Sequence, residues 1–299
     1  MRTSLDCIPC LIRQALSAAR MVTDDSALHA SILRKVLHWT ARMDLGQPPP
    51  VMAQRIHRYL HTIHGENDLY RRTKAHHNRM ALKLLPELQE KVTTASDPLE
   101  TAVRLAIAGN VIDMGVNSEV TENELRQAVN GVLTESFTGE LDAFRKALSR
   151  AQNILYLADN AGEIVFDRLL IQEMGPERVT LAVRGFPILN DATMADARAA
   201  GLHEMVRIID NGSDAPGTIL EQCSEDFNRL FHRVDLIIAK GQGNFETLGD
   251  VQHTIFFLFK VKCPVIAHHS GRPLGTHVLL RSDTVCAPGG PEEAPRIPP

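Results

Sequence analysis

The chain has 299 residues, of which 44% are hydrophobic and 23% charged, with a formal net charge of −4. That length exceeds what one typical core uses and predicts about two structural units. An acidic balance with no Lys/Arg-rich run argues against nucleic acid or an anionic membrane as the main partner.

The first hundred residues read as helical. Leu11, Ala15, Ala18 and Ala19 share one helical face, as do Leu28, Ile32, Leu33 and Val36. Gly46 and the Pro48-Pro49-Pro50 triplet break the pattern; further helical stretches cover 51–63, stopped by Gly65, and 70–90. Residues 1–97 are therefore expected to form an all-α region. The character changes after Pro98. A small-residue helix covers 99–112, and 123–150 reads as two helices with a break near Gly139. Short apolar runs then follow at 154–158, 179–183, 206–209, 236–239 and 265–267, most of them leading through a polar loop into a helical pattern. Such runs fit strands of a parallel sheet buried on both faces. The apolar run 255–259 is expected to be a buried helix. The fold class predicted is α/β: the N-terminal all-α region, then a three-layer αβα Rossmann-like domain with a mostly parallel sheet over 98–285 (98–150 helical, 151–285 sheet-containing). The Pro/Gly-rich tail, 286–299, is expected to be disordered.

In an open parallel sheet, ligands bind beyond the carboxyl ends of the strands. The residues there are Asp159-Asn160-Ala161-Gly162-Glu163 after the first run, Arg184 to Asp191 after the second, Asp210-Asn211-Gly212 after the third, Lys240 to Glu246 after the fourth and His268-His269 after the fifth. Asp159, the Asn160 carbonyl and Asp191 are oxygen donors suited to a hard divalent cation, with positions left for water and substrate. Lys240 offers a point charge to phosphoryl oxygens. Gly162 permits a tight turn into a helix whose N-terminal N–H groups receive anions. Each motif alone is equally an ordinary turn or helix cap; their convergence on one sheet edge is what suggests a metal and anion site.

The same residues resemble the signature of the damage-control phosphatase family, long catalogued as a domain of unknown function (the ARMT-like metal-binding fold), and its prokaryotic branch in particular. The matching segments are Cys7-x-x-Cys10 with Gln14-Ala15-Leu16, Asn67-Asp68-Leu69-Tyr70 with Lys74 and Asn78, Ala108 to Asp113, Asp159 to Glu163, Arg184 to Asp191, Lys240 to Glu246, and Lys262 to Ala267. The resemblance implies a metal-dependent phosphatase acting on sugar phosphates and related small phosphometabolites, with Mg, Mn, Co or Ni as the divalent metal. It implies Asp159, Asn160 and Asp191 as metal ligands; together with Lys240, read above as a phosphoryl contact, they make the expected catalytic set. It further implies Gln242, Gly243, Asn244, Phe245, Glu246 and Lys262 as substrate contacts, and Arg184, after the second run, is expected to join them. Glu163 is a candidate base, a substrate contact or a group that supports the metal ligands, and Asn110 and Asp113 are groups that would orient the ligands. Attack is expected from water or from Asp159 itself. Leu69 stands where the family often has proline. Of the Arg-Thr-x-Lys motif of distant eukaryotic members only Lys262 is present, so sugar specificity does not carry over.

Other features leave alternatives open. Cys7 and Cys10 have zinc or redox spacing and are a possible second metal site, though packing near a helix start explains them equally well. His57, His61 and His64 share a helical face, read as solvated. Five cysteines without a disulfide framework and an N-terminus unlike a secretory leader predict a cytoplasmic protein. No apolar stretch is long enough to span a bilayer. A metal-binding or metabolite-sensing module without turnover, or an S-adenosylmethionine-dependent methyltransferase, are the competing readings; Asp-Asn-Ala-Gly-Glu in place of a Gly-x-Gly loop counts against the latter. Oligomeric state is not legible.

Overall fold

The computed structural model describes residues 1–65, 68–109, 121–134 and 137–284. Three helices open the chain: α1 (Cys7–Val22), α2 (Ser26–Thr40) and α3 (Pro49–His64). Asp25 starts α2 by accepting the Ala27 N–H, Pro49 stands in the first turn of α3, and Gly65 ends it in a left-handed conformation. Leu11, Ala15, Ile32, Val36, Ile56 and Leu60 give these helices a core of their own. The next helices are α4 (Arg71–Thr93), α5 (Pro98–Ala108), α6 (Glu122–Thr134) and α7 (Leu141–Arg150), with the two-residue strand β1 (Thr138–Gly139) between the last two. Ala81, Leu84, Leu88 and Val92 of α4 join α5 and the sheet in one core. The sequence pattern grouped α4 with the helices before it, but its apolar face is buried on the sheet side.

The remaining elements alternate. They are β2 (Ile154–Leu157), α8 (Glu163–Met174), β3 (Val179–Val183), α9 (Met194–Ala199), β4 (Arg207–Asp210), α10 (Glu225–Phe231), β5 (Leu236–Lys240), α11 (Gly241–Leu248), β6 (Ile255–Lys260), α12 (Pro264–Ser270) and β7 (His277–Arg281). The sheet order is β1-β7-β6-β5-β2-β3-β4. β2 to β6 are parallel, and β7 pairs antiparallel to β6. Side chains alternate between two apolar layers. Ile154, Tyr156, Leu236 and Ile238 face one, and Leu155, Leu157, Ile237 and Ala239 face the other. Both faces are buried, as a parallel sheet with flanking helices requires. This is the three-layer α/β arrangement with a mostly parallel sheet that the alternation predicts.

Two segments exchange type relative to that expectation. Residues 255–260 form β6, an interior strand buried over 255–259, where a helix is expected; an unbroken apolar run has no period to separate the two, and its aromatic content and short length favour the strand. Pro264 stands at the first turn of α12, so the apolar residues that follow it extend a helix rather than a strand. β7 and β1 add an edge that the sequence pattern did not reveal. The tail and Cys286 lie outside the described residues. No helix among the described residues is long and apolar enough to cross a membrane.

From β2 the chain builds outward through β3 to β4, then returns to place β5 on the other side of β2. The strand order reverses between β2 and β5, and the crevice beyond their carboxyl ends is where an open α/β sheet holds its ligand.

Candidate active site

Asp159 and Asn160 leave the end of β2, and the 184–192 segment leaves β3 and folds back onto them. The Ala192 N–H donates to the Asp159 carbonyl at 2.7 Å, and the Ala161 N–H donates to the Asn190 carbonyl at 2.8 Å. These bonds flank an isolated antiparallel bridge between Asn160 and Asp191. Leu189, just before it, has φ 47°, the only non-glycine residue in the left-handed region among the described residues; a bulky side chain there is strained. The bridge brings Asp159, Asn160 and Asp191 together, all nearly buried.

A buried guanidinium ties the two acids. Arg184 Nε donates to Asp191 Oδ2 at 2.7 Å, and its Nη2 lies 3.8 Å from Asp159 Oδ1. The same guanidinium reaches Thr218 and Asn244, and Thr218 Oγ1 donates to Asn244 Oδ1 at 2.8 Å. Asn160 Nδ2 donates to Asp159 Oδ2 at 2.8 Å and to Glu163 Oε2 at 3.3 Å. With the nitrogen so engaged, the carbonyl oxygen is the end of that amide left to act as a ligand.

Gly241 shapes the opposite wall. Its φ is 80°, and a Cβ there would stand 1.9 Å from Asp159 Oδ2. The backbone at the start of α11 thus approaches the carboxylate as only glycine allows. Gly243 is close to a neighbouring loop instead, since a Cβ on it would meet the Pro216 carbonyl at 2.6 Å.

The expected roles of several residues change with this geometry. Lys240 is fully buried, its Nζ donating to Glu163 Oε1 at 2.6 Å, Asp167 Oδ1 at 2.5 Å and the Ala106 carbonyl at 2.8 Å. It faces the interior rather than a phosphoryl group, because residues 236, 238 and 240 share the strand face that packs on α8 and α5. Burial opposes the Lys240 charge, Asp167 and Glu163 outweigh it, and its pKa is raised. Burial likewise raises Glu163, which Lys240 partly offsets. The 241–248 segment is a helix, not a loop. Phe245 packs on Phe257 and Phe259 in the core, and Asn244 is buried against Arg184 and the carbonyls of Lys240 and Ala158. Gln242 and Glu246 are partly exposed and hydrogen-bond each other at 2.8 Å; burial pushes the Glu246 carboxyl up to about 7. Lys262 is exposed, and its charge acts on Glu163, which places it beside this end of the sheet. Asn110 and Asp113, like Asn67, lie outside the described residues.

Sequence reasoning assigned no role to Asn78 or Thr218. Asn78 on α4 accepts the Gly162 N–H at 2.6 Å and donates to Asp196 at 3.0 Å, and Lys74 pairs with Asp68 and Asp196. The N–H at the start of α8 that could receive an anion is therefore taken by α4. The regular spacing of Lys74 and Asn78, one helical turn apart, is the signal for this contact; Thr218 carries none. Cys7 and Cys10 stand in the first turn of α1, with burial raising both thiols, Cys7 to about 11. No group of three or more His, Cys, Asp or Glu side chains able to hold a metal forms among the described residues. The candidate site is two carboxylates and a carboxamide. His57 is fully buried, not solvated, beside Tyr70. A cleft of about 650 Å³ lined by Asn153, Glu177, Thr180 and Arg207 opens at the opposite, amino-terminal edge of the strands and touches none of the site residues. Position at the strand ends, rather than cavity size, identifies the site.

The sequence profile of the damage-control phosphatase ARMT1-like domain matches residues 3–278. The chain is 37% identical over 293 residues to the uncharacterized protein MJ0202 of Methanocaldococcus jannaschii, covering 92% of this chain and 94% of that protein. It is 36% identical over 284 residues to a damage-control phosphatase of Archaeoglobus fulgidus, covering 93% and 98%. The crystal structure of a DUF89 family protein from Pyrococcus horikoshii superposes with a TM-score of 0.86 at 31% identity, covering 94% of this chain and 99% of that one.

Proposed function

The chain belongs to the damage-control phosphatase ARMT1-like family, and we propose that it is a divalent-metal-dependent phosphatase of small phosphorylated metabolites, with Asp159, Asn160 and Asp191 holding the metal. The observation that carries this reading is the bridge between Asn160 and Asp191, which joins the segments after β2 and β3, with Asp159 drawn to the same guanidinium. Two carboxylates and one carbonyl oxygen suit Mg²⁺ or Mn²⁺, which keep several positions for water and substrate. The close approach of Gly241 to Asp159 keeps that corner clear of side chain. When bound, such a cation would polarise the phosphoryl group and neutralise charge developing on it.

The protein's own groups do the rest. Arg184, buried and fixed by Asp191, Thr218 and Asn244, sets a positive charge behind the two acids that would also offset charge developing on a phosphoryl group. Lys262, exposed beside the site, contributes positive charge at the mouth. Phe186, 60% exposed in the segment that carries Asp191, offers an apolar surface to the organic part of the ester. The test is phosphate release from p-nitrophenyl phosphate and a panel of sugar phosphates with Mg²⁺, Mn²⁺, Co²⁺ or Ni²⁺, then with EDTA. Metal-dependent release abolished by EDTA is expected; no release across the panel would overturn the reading and favour a binding module without turnover.

A further inference from the structure

The buried charges beneath the site form one continuous chain. Tyr156 on β2 donates to Asp167 Oδ1 at 2.8 Å; Lys240 at the end of β5 joins that oxygen to Glu163 Oε1; Glu163 Oε2 then accepts from Asn160 Nδ2. The carbonyl of Ala106 on α5 completes the ammonium's set of acceptors. Tyr156, Asp167, Glu163 and Lys240 are all fully buried. The parts come from two neighbouring strands and two helices. Glu163 and Asp167 are one turn apart on α8, and Tyr156 and Lys240 stand on the same face of the sheet.

We infer that Lys240 is a positioning residue, which holds Glu163 so that the amide of Asn160 presents its carbonyl oxygen to the cleft. A carboxamide has two ends of nearly equal shape, and only its hydrogen-bond partners decide which faces a cation. Here Asp159 and Glu163 both claim the nitrogen. Glu163 serves as acceptor because its other oxygen is pinned by an ammonium that itself has three acceptors and no route to solvent. Groups that orient a ligand in this way typically change metal affinity by about 10–100-fold when removed. The inference rests on the reading of Asn160 as a metal ligand, and it takes Lys240 out of the set of groups that touch substrate.

The test uses the full chain and Mn²⁺ alone, with binding read by the loss of the free-ion electron paramagnetic resonance signal. Two variants are needed. Lys240→Met with Asp167→Asn removes the ammonium and one acid together, leaving the net buried charge unchanged. Glu163→Gln is nearly isosteric: Lys240 claims its carbonyl oxygen, which turns the new amide nitrogen toward Asn160 Nδ2 and sets donor against donor. The expected result is folded protein by circular dichroism, Mn²⁺ binding weakened at least tenfold in both, and inhibition by inorganic phosphate at saturating Mn²⁺ unchanged within about twofold. If the double variant does not fold, Glu163→Gln alone decides. Unchanged Mn²⁺ affinity in a folded variant overturns the inference, as does a large loss of phosphate inhibition with Mn²⁺ binding intact, which would mean that Lys240 touches the phosphate. A native protein that binds no Mn²⁺ overturns the proposed metal site itself, a distinct outcome.

Discussion

Asn160 and Asp191 face each other across an isolated antiparallel bridge, Asn160 just beyond the end of β2 and Asp191 in the segment that folds back from β3. The bridge is a backbone feature, so main-chain bonds from Ala161 and Ala192 bring the two residues together, and side-chain bonds then orient them. Arg184 then binds Asp191 and approaches Asp159, leaving a compact site in which the acids are close but not unopposed.

That pairing makes the outcome of Asp191→Ala asymmetric. It removes the 2.7 Å partner of a guanidinium that is only 2% exposed. Leaving such a charge partly unpaired costs about 3 kcal/mol, so thermal denaturation should show a clear loss of stability along with lost metal binding. Asp191→Asn keeps an acceptor for Arg184 and should lose metal binding with a smaller change in stability. Equal melting temperatures for the two variants would contradict this.

Gly241→Ala is the sharpest steric test of the site wall. The added Cβ would fall 1.9 Å from Asp159 Oδ2, and the backbone has φ 80°. Strain of about 1–2 kcal/mol from the left-handed conformation adds to displacement of the carboxylate. Mn²⁺ titration should show weakened binding far beyond what the change in melting temperature accounts for. Native-like affinity would place the cation away from Asp159.

Asn78→Ala leaves the Gly162 N–H and one Asp196 oxygen without their side-chain partner. A loss of about 1–3 kcal/mol is expected for a buried donor deprived of its acceptor, together with a fall in turnover because the Asp159–Glu163 turn loses its support from α4. Chemical denaturation and phosphate release on the same samples check both; unchanged turnover would show that α4 only packs.

His57 gives the pH prediction. Burial pushes its pKa down to about 3, neighbouring His61 adds to this, and both ring nitrogens lack partners among the described residues. The unfolded imidazole protonates near its ordinary value while the folded one stays neutral. The native state is thus fully favoured above about pH 6.5 and loses on the order of 4 kcal/mol as the pH falls toward 3. His57→Leu should flatten the melting temperature between pH 7 and pH 4.5. A variant as acid-sensitive as the native chain would place the effect elsewhere.

The sheet was legible where side chains are buried on both faces. β2, β3, β4 and β5 appear in the sequence as apolar runs, and Asp159, Asn160 and Asp191 follow from reading what stands after them. β6 and α12 exchanged type because five continuous apolar residues carry no period, and because a proline that opens a helix also bounds a strand. Lys240 was misplaced for a different reason. Its position at a strand end suggests exposure, whereas strict alternation from Leu236 and Ile238 turns it inward, toward acids spaced one turn apart on α8. That alternation was present in the sequence; the matching acids acquire meaning only once α8 is laid over β5. Asn78 and Thr218 meet the site through tertiary packing; the one-turn spacing of Lys74 and Asn78 hints at a shared partner without naming it, and no local pattern announces Thr218.

The most direct measurement is an anomalous-difference map from crystals soaked in Mn²⁺. The account predicts one strong peak at the carboxyl ends of β2 and β3, within about 2.1 Å of oxygens of Asp159, Asn160 and Asp191. A peak elsewhere, at Cys7 and Cys10 for example, or none between these three residues at saturating Mn²⁺, would contradict it.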